Sequence, residues 1–384
     1  MRRLAVAPFA VSVLMLLTVP LRTPAQDTLQ TLLARGSQAL HEGDNVAAEQ
    51  AFRQALQIQP SSVGILNDLA ISLARQGKTD EALGFYERAL KLKPGDVGTQ
   101  RNLAVAYYRA GRYEKARPLL KQLITADTRD FQLLEIAGLS SFALDLYPES
   151  AGYLERASAL QPTDVNTLDL LGKAYTRAKD FNSVATVFER IMRINPDSAA
   201  AHVMMGTAYN DMSKEEEALR EFQAAEAADP HYLGVHSGLG VIYSKMRDTD
   251  RAVKEFRAEL ANYPADPFAN YLLGQILAEQ GQDAEALVYL RLAIKANPNY
   301  KEALYELGKA EIALGHPQEA LAPLRTAIAL DSKFYRAHFV LGTALRRLGQ
   351  EQEGLREQKL SAELQQKDDK QAAKIAKPEG DTQR

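Results

Sequence analysis

A small residue returns every 34 positions along this 384-residue chain, with no insertion or deletion between copies. It stands at Gly36, Ala70, Ala104, Gly138, Gly172, Gly206, Gly240, Gly274, Gly308 and Gly342. A fixed period of this size, repeated ten times, is the mark of stacked structural repeats. Such a chain builds each unit against its neighbours and offers extended surfaces more readily than closed catalytic pockets.

We number each repeat 1 to 34, starting at Leu29, Val63, Val97, Phe131, Val165, Ala199, Leu233, Pro267, Lys301 and Tyr335. The small residue is then position 8. Position 20 reads Ala48, Ala82, Ala116, Ser150, Val184, Ala218, Ala252, Ala286, Ala320 and Gly354, and position 24 reads Phe52, Tyr86, Leu120, Leu154, Phe188, Phe222, Phe256, Leu290, Leu324 and Gln358. Within the second repeat Leu66, Leu69, Ala70 and Leu73 fall at helical spacing, and Ala82, Tyr86, Ala89 and Leu90 do so again. Gly77 separates the two runs where a left-handed turn favours glycine, and Pro94-Gly95 ends the second. Each unit therefore reads as a helix, a tight turn and an antiparallel helix. Small residues at 8 and 20 are expected to let the two backbones come close, with the large residue at 24 beside them. The expected fold is all-α, with no strand signal and no room for a second domain.

These columns resemble the tetratricopeptide repeat family. Leu171-Gly172, Tyr175, Phe188 and Pro196 meet its pattern almost whole, and Leu239-Gly240, Tyr243, Ala252, Phe256 and Pro264 meet it again. The resemblance covers residues 29–368, and the strict 34-residue spacing sets the chain apart from the 35-residue RNA-binding relatives. It implies a right-handed α-solenoid superhelix of ten helix-turn-helix units whose first helices line a concave groove. Positions 2, 5, 9, 12 and 13 would face that groove. The groove would have a polar first half, with Asn67, Arg75, Arg101, Arg109, Glu135, Asp169 and Lys173 at these positions and Asn102 at position 6. The last three repeats give an aromatic ladder at position 5, Tyr271, Tyr305 and Phe339, flanked by Phe268, Gln275, Lys309, Thr343 and Arg346. Aromatic groups with polar neighbours suit a protein or extended-peptide partner. The two-carboxylate clamp of co-chaperone relatives is not matched in any three consecutive units. Asn102 follows Asn67 and Ile71 and precedes Gln132 and Ile136.

Departures from the pattern carry further expectations. Position 15 is not glycine in the four central repeats, which have Asp145, Lys179, Ser213 and Arg247. Lysine and arginine enter left-handed backbone reluctantly, so these turns are expected to differ in shape. Pro118 and Pro323 sit early in second helices and are expected to delay or kink them. In the last repeat Gly354 and Gln358 stand at positions 20 and 24, and the polar stretch Glu351 to Leu364 reads as a terminal cap.

The ends differ from the array. Arg2-Arg3, an apolar run from Leu4 to Val19 and Thr23-Pro24-Ala25 read as a secretory signal over residues 1–25. An uncleaved membrane anchor is the alternative reading of the same segment. Cleavage before Gln26 removes three arginines and no acid, taking the net charge from −3 to −6. With no cysteine there is no disulfide, catalytic thiol or lipidated cysteine, which suits a bacterial periplasm or exterior. The mature chain has no membrane span. The solenoid is expected over residues 26–368, and the polar tail, residues 369–384, has too little apolar surface to order by itself.

A balance of 46 basic and 49 acidic residues gives no nucleic-acid face. Gly234 to Gly238 places Ser237 one residue too late for a nucleophile elbow, and nothing completes a cofactor motif. His202, His236 and His338 share position 4. A metal hydrolase using His202 and His236 would need a third ligand; packed, hydrogen-bonded imidazoles are the simpler reading. The sequence therefore points to an exported, non-enzymatic scaffold without metal or cofactor. A periplasmic scaffold of polysaccharide export or secretion is the alternative, and the oligomeric state is open.

Overall fold

A computed structural model describes residues 24–375. The leader expected over residues 1–25 falls outside the described residues except for its last two, and so do residues 376–384 of the tail. Twenty helices, and no strand, occupy the described residues. They pair as α1 (Pro24–Glu42) with α2 (Asn45–Ile58), α3 (Val63–Arg75) with α4 (Thr79–Leu92), α5 (Val97–Arg109) with α6 (Tyr113–Leu123), and α7 (Phe131–Ala143) with α8 (Tyr147–Leu160). The next pairs are α9 (Val165–Arg177) with α10 (Phe181–Ile194), α11 (Ala199–Asp211) with α12 (Glu215–Ala228), and α13 (Val235–Lys245) with α14 (Thr249–Asn262). The last are α15 (Pro267–Glu279) with α16 (Asp283–Ala296), α17 (Lys301–Ala313) with α18 (Pro317–Leu330), and α19 (Tyr335–Arg347) with α20 (Glu351–Ile375).

The chain divides into two compact units at Leu160 and Gln161, so that the first holds repeats 1 to 4 and the second repeats 5 to 10. Within each unit every first helix packs on its own second helix, and every second helix on the first helix of the next repeat. The core of the first unit is built on Phe52, Leu66, Leu69, Leu73, Leu83 and Leu120, that of the second on Leu171, Ile191, Leu239, Phe256, Leu273 and Leu324. Burying each such side chain contributes roughly 1.5–3 kcal/mol.

Position 8 is small chiefly because of the side chain at position 24, and in some repeats because the backbones come close as expected. A Cβ on Gly138, Gly240, Gly274 or Gly308 would stand 2.6–2.8 Å, or 2.5 Å in the last case, from the side chain at position 24 of the same repeat. The nearest obstacle is Leu154, Phe256, Leu290 or Leu324; at Gly274 the facing backbone closes in as well, with Ala286 O 3.2 Å from the Cβ position. Backbone approach is closest in the tenth repeat, where positions 8 and 20 are both glycine and a Cβ on Gly342 would lie 2.6 Å from the Gly354 carbonyl oxygen. In repeat 5 the socket is filled from the next unit: Met204 Sδ lies 1.7 Å from the Cβ position of Gly172. Phe188 instead turns edge-on to His202, with ring centroids 5.6 Å apart.

The central turns do not differ in shape, contrary to expectation. Asp145, Lys179, Ser213 and Arg247 have φ of 58°, 59°, 55° and 62°, the same left-handed region as Gly43 and Gly77. Each turn also closes with the same hydrogen bond. Lys78 N donates to Leu73 O at 3.0 Å, and Asp180 N and Asp248 N donate to Tyr175 O and Tyr243 O at 3.0 and 2.9 Å. The hydrogen-bond frame and helix packing impose the conformation, at about 1–2 kcal/mol for a residue with a Cβ. Nor do the prolines delay their helices: α6 and α18 begin at position 17, as α4 does, with Pro118 and Pro323 inside them.

Six first helices start on side-chain caps at position 34. Ser62, Asp96, Asp130, Asp164, Ser198 and Asp266 each accept from the amide three residues on, a contact typically contributing about 1 kcal/mol. At the other end α20 runs to Ile375, past the boundary expected at Asp368. Lys370-Gln-Ala-Ala-Lys, rich in good helix formers, extends a helix already nucleated by packing on α19.

Candidate functional site

The polar first half of the proposed groove is largely consumed by structure. Asn67 is buried, and its Nδ2 donates to Val63 O at 3.0 Å and to Thr99 Oγ1 at 2.6 Å, tying α3 to the start of α5. Arg101 pairs with Asp130, and Arg75 donates to Leu40 O at 2.9 Å. In the second unit Lys173 and Asp169 pair with each other at 2.7 Å. Asn102 is half-buried, and Arg109 is exposed at the end of α5. The candidates here are thus scattered along their helices and mostly neutralised by neighbours.

Repeats 8 to 10 are different. Tyr271 on α15 packs against Tyr300, with ring centroids 4.9 Å apart, and Tyr305 on α17 packs against Phe334 at 5.3 Å. Tyr300 and Phe334 are the position-34 residues that precede α17 and α19, and neither helix has a side-chain cap. At these two helix starts a ring stands where six other first helices have an aspartate or serine cap; Tyr232 holds the same column before α13, which starts instead on Gly234. The position-5 residues continue to Phe339, which is 55% exposed, and Phe268 at the start of α15 is 44% exposed.

Polar groups border the rings. Lys309 Nζ lies 3.0 Å from Glu306 Oε2, and Gln275 donates to Glu279 Oε1 at 3.2 Å. Burial pushes the Tyr271 phenol up to about 12, with the charges of Glu306, Glu302 and Glu279 adding to the effect. Tyr305 is raised by burial and by Glu306. Both phenols are neutral donors at ordinary pH.

Thr343 and Arg346 do not join this strip. Thr343 Oγ1 accepts from Gln358 Nε2 at 3.3 Å, and Arg346 binds Glu351 Oε1 at 2.9 Å and Gln358 Oε1 at 3.3 Å. Both turn to α20, because Gly354 and Gln358 leave room there for the arginine stem, whose Cγ would lie 2.4 Å from a Cβ on Gly354. The candidate strip is thus Phe268, Tyr271, Gln275, Tyr305, Lys309 and Phe339, with Tyr300 and Phe334 packed against its two tyrosines. Sequence reasoning missed the last two, although the replacement of caps by aromatics in column 34 was there to be seen.

The histidines pack and hydrogen-bond as the simpler reading has it. Nδ1 of His202, His236 and His338 donates to Glu221, Glu255 and Glu357 at 2.7, 2.8 and 2.6 Å. Each acceptor stands at position 23 of the same repeat, and glutamate occurs in that column nowhere else. Elsewhere, an open cleft of about 630 Å³ lies between α4, α5 and α6, floored by Leu90, Leu103, Tyr107 and Leu119.

Helical hairpins that repeat one contact set within each unit define an α-hairpin repeat protein. Tetratricopeptide repeat models match residues 32–97, 237–301 and 305–368 in one form and 73–135 in another. These matches span more than half of the chain, which belongs to the tetratricopeptide repeat family. Arrays of this family serve as protein-interaction scaffolds. No curated protein matches the sequence. Among solved structures, MamA residues 41 to the end from Desulfovibrio magneticus RS-1 is 19% identical, covering 44% of this chain and 96% of that one, with a TM-score of 0.41. YrrB, described as a TPR protein with an unusual peptide-binding site, is 20% identical over 48% of this chain and 95% of its own, with a TM-score of 0.43. The Cut9–Hcn1 hetero-tetramer of the APC/C is 14% identical over 88% and 87%, with a TM-score of 0.47. At these identities the likeness concerns fold alone.

Proposed function

We propose that the chain is a non-catalytic scaffold that holds an extended segment of a partner protein along repeats 8 to 10, and that it works outside the cytoplasm. The observation that carries the binding reading is the double layer of rings, Tyr271 on Tyr300 and Tyr305 on Phe334, leading to the exposed Phe339. Stacked rings lose little side-chain entropy on binding and tend to supply the strongest contacts of an interface. Lys309, Gln275 and the phenol groups provide the hydrogen bonds an extended backbone needs. Export is supported by the basic start and apolar run ahead of Thr23-Pro24-Ala25. No described helix is long and apolar enough to cross a membrane.

The test compares two equally exposed apolar side chains. Phe339 and Val288 are both 55% exposed, but Val288 lies on the second helix α16. Partners captured by the wild-type protein from its native envelope are identified and then titrated against Phe339→Ala and Val288→Ala. Phe339→Ala should weaken a strip-bound partner by roughly 2 kcal/mol, and Val288→Ala should leave it unchanged. Equal effects of the two would defeat the assignment.

A further inference from the structure

Column 28 of the array is apolar or small in nine repeats: Leu56, Leu90, Ile124, Ser158, Met192, Leu260, Ile294, Ile328 and Ala362. The tenth is Glu226, half-buried on α12. It faces the His236–Glu255 pair of the next repeat, and one donor atom from each of Glu226, His236 and Glu255 lies within 4.8 Å of the others. No lysine or arginine of the described residues forms an ion pair with either glutamate. Two carboxylates thus stand beside one imidazole, only that of Glu255 being bonded to it, which leaves a net charge of −1 if the ring is protonated and −2 if it is neutral. A charge placed where the array otherwise keeps apolar groups is costly without a counter-ion.

From this juxtaposition we infer that Glu226, His236 and Glu255 form a binding site for one divalent transition-metal ion of the zinc type, bridging repeats 6 and 7. An imidazole with two carboxylates is a mixed nitrogen–oxygen donor set, which favours zinc and its neighbours over magnesium or calcium. The ion takes the place of the proton that joins His236 Nδ1 to Glu255 Oε2, and that proton moves to Nε2 or to water. Three protein ligands leave a coordination position for water. Small rotations of the two glutamate side chains close the 4.8 Å spread to the roughly 3.3 Å between ligands around a zinc ion with bonds near 2.0 Å.

The other two histidines show what sets this one apart. His202 has the same glutamate partner, but its ring lies against Phe188, and column 28 of the preceding repeat is Met192. His338 engages Ser332 O through Nε2 at 3.2 Å, and the preceding column-28 residue is Ile328. A third nearby carboxylate, Glu259, is already occupied: it accepts from Gly234 N and Ser237 N at 2.9 and 3.0 Å, capping α13.

The test is calorimetric titration of Zn²⁺ into the untagged full chain at neutral pH, for the wild type and for Glu226→Leu, His236→Gln and His202→Gln. Glu226→Leu installs the residue that this column carries in other repeats, so its fold is kept. The expected result is one tight zinc per wild-type chain, with affinity rising with pH as protons are displaced. Glu226→Leu and His236→Gln should each lose at least about tenfold in affinity, and His202→Gln should match the wild type. Added zinc should raise the melting temperature of the wild type and of His202→Gln only. No zinc binding by the wild type, or equal binding by Glu226→Leu, would overturn the site.

Discussion

Gly308 offers a direct measure of how position 8 and position 24 depend on each other. A methyl group at Gly308 would lie 2.5 Å from Leu324 Cγ, 2.8 Å from Cδ2 and 3.0 Å from Cδ1. Carbon atoms rest at about 3.5–4.0 Å, so Leu324, which is fully buried, must shift by about 1 Å. Overpacking of this kind costs about 1–3 kcal/mol, against which alanine returns about 1 kcal/mol of helix propensity. Gly308→Ala should therefore destabilise by about 0–2 kcal/mol. Leu324→Ala alone should cost about 2–5 kcal/mol through the cavity it leaves. In that background the Gly308 methyl meets open space, and adding it should stabilise by about 1 kcal/mol. The double-mutant cycle should then show about 1–3 kcal/mol of favourable coupling. Gly64, with nothing within 4 Å of its Cβ position, is the control, and Gly64→Ala should stabilise by up to about 1 kcal/mol. Urea unfolding followed by helicity, with hydrogen exchange to localise the effect to α17 and α18, reads all four. Additive costs, or a Gly308→Ala effect equal to that of Gly64→Ala, would refute the socket.

Relieving the left-handed residues should also register: Lys179→Gly and Arg247→Gly are each expected to stabilise by about 0.5–1 kcal/mol, seen as a higher melting temperature. In the first unit Glu149 accepts from Arg117 Nε and Nη2 at 2.8 Å each, from Lys121 Nζ at 2.8 Å and from Ser141 Oγ at 3.1 Å. The Arg117 hydrogen bonds, with those of Lys121 and Ser141, outweigh burial and hold its carboxyl down at about 2. Because this value lies below the unfolded one, the stabilisation is present above about pH 4.5 and is lost as pH falls toward 2. Glu149→Gln should cost on the order of 1–3 kcal/mol at neutral pH, and its difference from the wild type in urea midpoint should vanish near pH 2. N-terminal sequencing of the native protein should find Gln26 first; an intact Met1 form in the cytoplasm would remove the proposal of export.

The array was legible because its period is strict and each column has one dominant demand. Columns 8, 20 and 24 gave the hairpin, and position 5 gave Tyr271, Tyr305 and Phe339. What escaped was of two kinds. The central turns were misjudged because intrinsic preference was weighed without the hydrogen-bond frame around Lys179 and Arg247, which overrides it. Thr343 and Arg346 were misplaced because a helical stripe fixes direction only to within a neighbour's reach, and Gly354 opened a nearer berth. Tyr300, Phe334 and Glu226 were visible as departures in columns 34 and 28, but a column read as loop or core is searched for conformity, not for chemistry. The end of α20 escaped because a polar sequence says little about whether an existing helix will continue through it.

Position 34 serves two masters in the last repeats. In six repeats it is the aspartate or serine that secures the next helix; at Tyr300 and Phe334 it is the ring that packs on the tyrosine at position 5. A change such as Tyr300→Asp would improve the start of α17 by about 1 kcal/mol while removing the ring that supports Tyr271. Robustness and selectivity are thus set against each other at a single residue, and sequence drift toward a sturdier array would blunt its recognition.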